Sequence, residues 1–209
     1  MTISLRRTSL VLVLAGSTLM PLLGCAPMIV GGAVVGSLVA VDRRTAGAVV
    51  EDEAIALKAS SRIRDSLVER AHVNVNSYNR QVLVTGEVPS AQDKQLVEKI
   101  VSEVDNVRNV VNELEILGNS TITQRANDAL VTGRVKAALV DASDLYASSF
   151  KITTERGTVY MMGRVTQREA TRATEVITAT SGVQRVVRIL DIISEEELSR
   201  ILASQGKSK

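Results

Sequence analysis

The chain has 209 residues, 45% hydrophobic and 23% charged, with no Trp, one Phe and three Tyr. That size holds one medium domain or two small ones, and the Val, Ile and Leu content excludes a disordered chain. One Cys (Cys25) and one His (His72) exclude an internal disulfide and a Cys/His zinc cluster.

Residues 1–24 read as a secretory signal. Arg6 and Arg7 form a positive start, Leu10 to Leu14 begin an apolar run, and Leu22-Leu23-Gly24 lead into Cys25. A lone Cys is otherwise a buried free thiol, but the Leu-Leu-Gly-Cys ending resembles a bacterial lipobox. That resemblance implies acylation of Cys25 and loss of the residues before it. Ala26 in the next place, rather than Asp, resembles outer-membrane sorting. Removal of the signal leaves 23 basic and 23 acidic side chains, net zero. A neutral, aromatic-poor, exported chain is not expected to bind nucleic acid.

Residues 25–50 are expected to be the acylated Cys and an apolar tether. The sixteen residues from Ala26 to Val41 fall short of the roughly 20 that span a bilayer. Gly32, Gly36 and Ala40 give a small-xxx-small spacing that brings membrane helices together, although a flexible tether needs no such contact. Asp42, Arg43 and Arg44 are expected to mark the return to water.

The remainder is a repeat. Residues 51–117 and 125–193 each run helix, two strands, helix and strand, joined by a turn-rich linker at 118–124 and followed by a helical tail at 194–209. The segment from Arg80 to Val88 is answered by Gly157 to Val165, and Val107–Ile116 by Val183–Ile192. His72 to Asn76 alternates polar and apolar, as a strand with one wet face does. Gly86 and Gly163 stand at matched strand ends, where a missing Cβ suits a bulge or close backbone approach. Ser90 with Asp93, and Thr166 with Glu169, are helix-capping signals. The expected class is α+β: two αββαβ modules, each a three-stranded mixed sheet packed on two helices. Cores this thin predict that the modules pack together.

These features resemble the BON-domain family, whose closing strand motif reads here Asn106-Val107-Arg108-Asn109-Val110-Val111-Asn112 and Gly182-Val183-Gln184-Arg185-Val186-Val187-Arg188. Asn106 and Arg188 depart from the Gly and Asn of the pattern. With the lipobox, tether and Asp42-Arg43-Arg44-Thr45, the whole is similar to dual-BON outer-membrane lipoproteins. The resemblance implies phospholipid binding through the second module, support of envelope integrity and enrichment at division sites, facing the periplasm.

No catalytic set is legible, and neither cofactor nor metal is expected. A Ser-His-Asp arrangement would need His72, which is read as solvent-exposed and structural. Glu195-Glu196-Glu197 point in different directions on a helix and suit its N-terminus. Residues 51–117 carry eight basic and twelve acidic side chains, net −4, whereas 125–193 carry ten and seven, net +3. The modules either attract one another or turn the second towards an anionic membrane, and both readings stand together.

In the first helix of the second module, Val131, Val135, Ala138, Leu139 and Ala142 form the core stripe. Leu130, Gly133, Arg134 and Ala137 lie on the other face. Leu130 is expected to dip into the acyl boundary and Arg134 to meet a phosphate, the small residues allowing close approach. A singly exposed Leu is otherwise common. The partner expected is an anionic phospholipid membrane; the alternative is a scaffold holding a partner envelope protein.

Overall fold

The apolar stripes of the repeat fold into two sheets, each with helices on one face. The computed structural model describes residues 42–206; Cys25, the expected signal segment at 1–24 and the apolar stretch to Val41 lie outside the described residues. Module one comprises α1 (Ala46–Leu67), β1 (His72–Tyr78), β2 (Gln81–Val88), α2 (Ala91–Ser102) and β3 (Asn109–Ile116). Module two comprises α3 (Ile122–Asp141), β4 (Phe150–Glu155), β5 (Thr158–Thr166), α4 (Gln167–Thr178) and β6 (Arg185–Ile193), followed by α5 (Glu195–Gly206). In each sheet the middle strand pairs antiparallel with the first and parallel with the third, the helix between supplying the crossover.

Both cores follow strand parity. Val82, Val84 and Val88 of β2 meet Ile55, Ala59 and Ile63 of α1 and Val97 and Val101 of α2. Val159, Met161 and Val165 meet Val135 and Leu139 of α3 and Ala173 and Ile177 of α4. Burying each of the larger of these side chains contributes about 1.5–3 kcal/mol. Ser90 Oγ accepts from the Asp93 amide, and Thr166 and Glu169 form a reciprocal capping box. Two boundaries differ from expectation. α1 begins at Ala46, inside the expected tether, because Thr45 caps it, and α3 begins at Ile122 because Thr121 and Gln124 form a capping box within the expected linker.

Gly86 and Gly163 lie inside β2 and β5, not at their ends. A Cβ on Gly86 (φ +114°) would stand 2.0 Å from the His72 carbonyl oxygen, and one on Gly163 2.6 Å from that of Ser149. Close approach is therefore what these glycines serve.

The sheet faces away from the helices pack on each other. Tyr78, Leu83 and Val111 from one side meet Tyr160, Met162, Val187 and Ile189 from the other. Two of the three tyrosines are spent here, and burial pushes the Tyr160 phenol up to about 12. The face of β1 read as wet thus lies on the seam between the modules. His72, Asn74 and Asn76 alternate with Val73 and Val75 because two polar strand faces meet, not because one meets water.

Candidate functional site

Each module closes its strand hairpin with a two-residue turn, Asn79-Arg80 or Arg156-Gly157, with positive φ at both residues, as type I′ loops require. One helical aspartate holds each turn. Asp52 accepts from the Asn79 and Arg80 amides at 2.7 and 2.8 Å, and Asp128 from the Arg156 and Gly157 amides, both at 2.9 Å. Both aspartates sit in the buried helix stripe, where the turn amides replace water. Burial would raise the Asp52 carboxyl, but bonds from Ser77, the two turn amides and Arg44 outweigh it and hold it low.

Beside each latch lies a groove. In module two it encloses about 500 Å³ between α3 and two turns, lined by Leu130, Val131, Arg134, Arg156, Gly157 and Gly182 among others. Leu130 is 59% exposed; Gly133, Arg134 and Ala137 are also exposed. The structure therefore brings Leu130 and Arg134 to one groove wall, whereas Gly133 and Ala137 are not among its lining. Gly182 has φ +96° and Asn106, its counterpart, +68°, a left-handed position that Gly and Asn tolerate best. This accounts for the departure at Asn106.

The matching groove of module one encloses about 920 Å³ beside Ala46, Val50, Glu51, Ala54, Arg80 and Arg108. Its cations are neutralised: Arg80 pairs with Glu51 at 2.6 Å and Arg108 with Asp191 at 3.0 Å. Lys58, which answers Arg134, lies 3.7 Å from Asp105. The residue answering Asp105 is Ser181. Arg134 reaches only the Ser181 carbonyl oxygen, at 3.5 Å, and makes no ion pair among the described residues.

The seam holds the other charged groups. Glu87, 1% exposed, accepts from Arg156 at 2.7 Å and from the Ser120 amide at 3.2 Å, and meets His72 Nδ1 at 3.0 Å. Burial would raise its carboxyl, but these partners outweigh it and hold it low. Glu155 is hydrogen-bonded by Asn74, yet burial keeps its carboxyl above the usual range. Ligand atoms of His72, Glu87 and Glu155 lie within 4.8 Å of one another, a metal-like spacing. Arg156 and Asn74 already fill it with a cation and a donor, so the cluster works as a polar bolt between modules. His72 is thus half-buried and paired, a correction to its reading as solvent-exposed.

Arg43 and Arg44 also depart from their reading as the return to water. Arg43 is 3% exposed and bidentate to Glu169 at 2.7 and 2.6 Å. Arg44 bonds Asp42 and Asp52 and lies 4.3 Å from the Tyr78 ring centroid.

Compared with known proteins, residues 51–118 and 127–193 each match the family model of the BON domain. The chain belongs to the BON-domain family. It is 31% identical over 179 residues to the outer membrane lipoprotein DolP of Haemophilus influenzae, covering 85% of this chain and 92% of that protein. It is 28% identical over 155 residues to a 21 kDa hemolysin of Actinobacillus pleuropneumoniae, covering 73% and 80%. Among solved structures it is similar to CdsD, a structural protein of the type III secretion system of Chlamydia trachomatis, over 74% of this chain and 97% of that one. The TM-score is 0.28 and the identity 11%. The BON assignment agrees with the α+β modules of the structure, one matched stretch to each. No helix among the described residues is long and apolar enough to cross a membrane.

Proposed function

We propose that this BON protein is a non-enzymatic outer-membrane lipoprotein, anchored through acylated Cys25, facing the periplasm and binding anionic phospholipid through α3 of its second module. In that role it supports envelope integrity, including at division sites. The observation that carries the reading is the contrast between the grooves. Arg134 stands without an acid partner among the described residues beside the exposed Leu130, while Arg80 and Arg108 of the module-one groove, and Lys58 at the place of Arg134, each face a carboxylate. An apolar side chain next to a cation not matched by acid suits the boundary between headgroup and acyl chain. One basic residue near an anionic surface contributes about 1 kcal/mol, roughly fivefold in affinity, and is screened by salt. Anchoring needs more than this, since even one acyl chain holds only marginally and several are required.

The test is flotation of the chain lacking residues 1–25 with vesicles of phosphatidylglycerol and phosphatidylcholine, against phosphatidylcholine alone. The reading expects flotation with the anionic vesicles only, lost at high salt and weakened at least fivefold by Arg134→Glu. Absence of flotation, with co-purification of a defined envelope protein, would support the scaffold alternative instead.

A further inference from the structure

The chain meets its folded body at two consecutive arginines, and each enters a different module. Arg43 crosses 126 positions of sequence to Glu169, at the first turn of α4 in module two. It also donates to the Arg164 carbonyl oxygen at 3.1 Å and lies 5.7 Å from the Tyr146 ring centroid. Both side chains of the pair are almost wholly out of water, 1% and 2% exposed. Arg44 turns the other way, to Asp52 of module one at 2.8 Å. Asp52 is the same carboxylate that latches the Asn79-Arg80 turn, and Glu169 the same one that caps α4 through the Thr166 amide at 2.9 Å. Each arginine is therefore tied to an acid its module already needs.

We propose that Arg43 and Arg44 form a clasp that straps the modules together just ahead of α1, so that the chain is pinned to both modules before it enters its first helix. Sequence order alone would pin this segment to module one, whose α1 follows immediately. The geometry gives a mechanical consequence. A pull at Asp42 loads Asp52 through Arg44 and Glu169 through Arg43, so both modules bear it instead of module one alone. A buried pair of this kind is costly to break from one side, because the remaining charge is left without a partner in a dry site. The clasp stands whether or not Cys25 is acylated, so its failure and that of the membrane reading are separable.

Trypsin cuts after arginine and needs an extended, accessible chain, so the clasp can be read directly on the full-length acylated protein in detergent. Glu169→Gln removes the charge that holds Arg43, while the Gln side chain keeps an oxygen for the Thr166 amide, as capping boxes accept Glu or Gln alike. The expected result is slow cleavage after Arg43 and Arg44 in the wild type. In Glu169→Gln, cleavage at that one place should be at least tenfold faster, leaving a single intact fragment that begins at Arg44 or Thr45. Equal cleavage rates in the two proteins would overturn the proposal. If the variant is instead cut throughout, its fold is lost, and hydrogen exchange of the wild type decides. Protection of residues 42–45 supports the clasp, and exchange at the rate of an unfolded chain refutes it.

Discussion

The two grooves are built on one plan and differ in charge. Each lies beside a helical aspartate that latches a left-handed turn; Gly182, of positive φ, lines the module-two groove, and its counterpart Asn106 also has positive φ. In module one the helix cation Lys58 meets Asp105; in module two the position of that acid is Ser181, and Arg134 is left to a carbonyl oxygen. Leu130 also answers Ala54 in the module-one groove; an exposed leucine is present on α1 too, Leu57 at 68% against 59% for Leu130, but it lies outside that groove's lining. The grooves differ in charge and in apolar reach: Asp105 is answered by Ser181, Glu51 by Asn127, Arg108 by Gln184, and Ala54 by Leu130.

The largest effects should come from breaking the shared plan. Asp52→Ala strands Arg44, Ser77 and two turn amides, and should cost about 3–5 kcal/mol in urea denaturation. Asp128→Ala frees the two amides that hold the Arg156-Gly157 turn and should cost about 2–3 kcal/mol. Both variants should unfold in a single transition, because Tyr78, Leu83, Tyr160 and Met162 form one core between the sheets. Two transitions, one of them unmoved by each substitution, would show that the seam does not couple the modules.

A smaller substitution sharpens the comparison. Ser181→Asp sets an acid beside Arg134, copying the Lys58–Asp105 arrangement at an exposed site. Anionic-vesicle binding should fall severalfold with little change in unfolding temperature. Unchanged binding would mean that the acid at this turn is not what distinguishes the grooves.

The seam gives the smallest effect and a pH signature. Glu155 is raised by burial, so its contribution is fully present below the ordinary carboxylate range and lost as pH rises through its elevated folded value. Glu87 and Glu169 are held low and act oppositely: their contribution is present above the ordinary range and lost as pH falls below it. Glu155→Gln keeps an acceptor for Asn74 and removes the ionisation. It should raise the unfolding temperature at pH 7 by a degree or two and leave it unchanged near pH 4, measured by calorimetry. Destabilisation at pH 7 would show that the ionised carboxylate is needed at the seam.

The modules were legible because their signals are local. Ser90 and Thr166 cap helices three residues before their partners, and Val82 and Val84 share a sheet face by parity alone. The seam was not legible, because a polar face reads alike whether it meets water or another polar strand; nothing between His72 and Asn76 points to Glu155 or Arg156. Arg43 misled in the same way, its partner lying 126 positions away. The latches did leave a sign. Asp52 and Asp128 stand at matched places in apolar stripes, Asp52 with Ile55, Ala59 and Ile63 and Asp128 with Val131, Val135 and Leu139. A carboxylate repeated on a buried face needs partners, and the hairpin turns supply them.

The central claim, that the second module and not the first meets the anionic membrane, is tested most directly by a paired substitution. Leu57→Asp and Leu130→Asp place the same charge on the exposed faces of α1 and α3 in the chain lacking residues 1–25. Flotation with phosphatidylglycerol-containing vesicles is then compared at low salt, with unfolding temperature as the control for folding. The account predicts that Leu130→Asp lowers binding at least tenfold, that Leu57→Asp leaves it near wild type, and that both variants stay folded. Loss of binding in Leu57→Asp with retention in Leu130→Asp would contradict it.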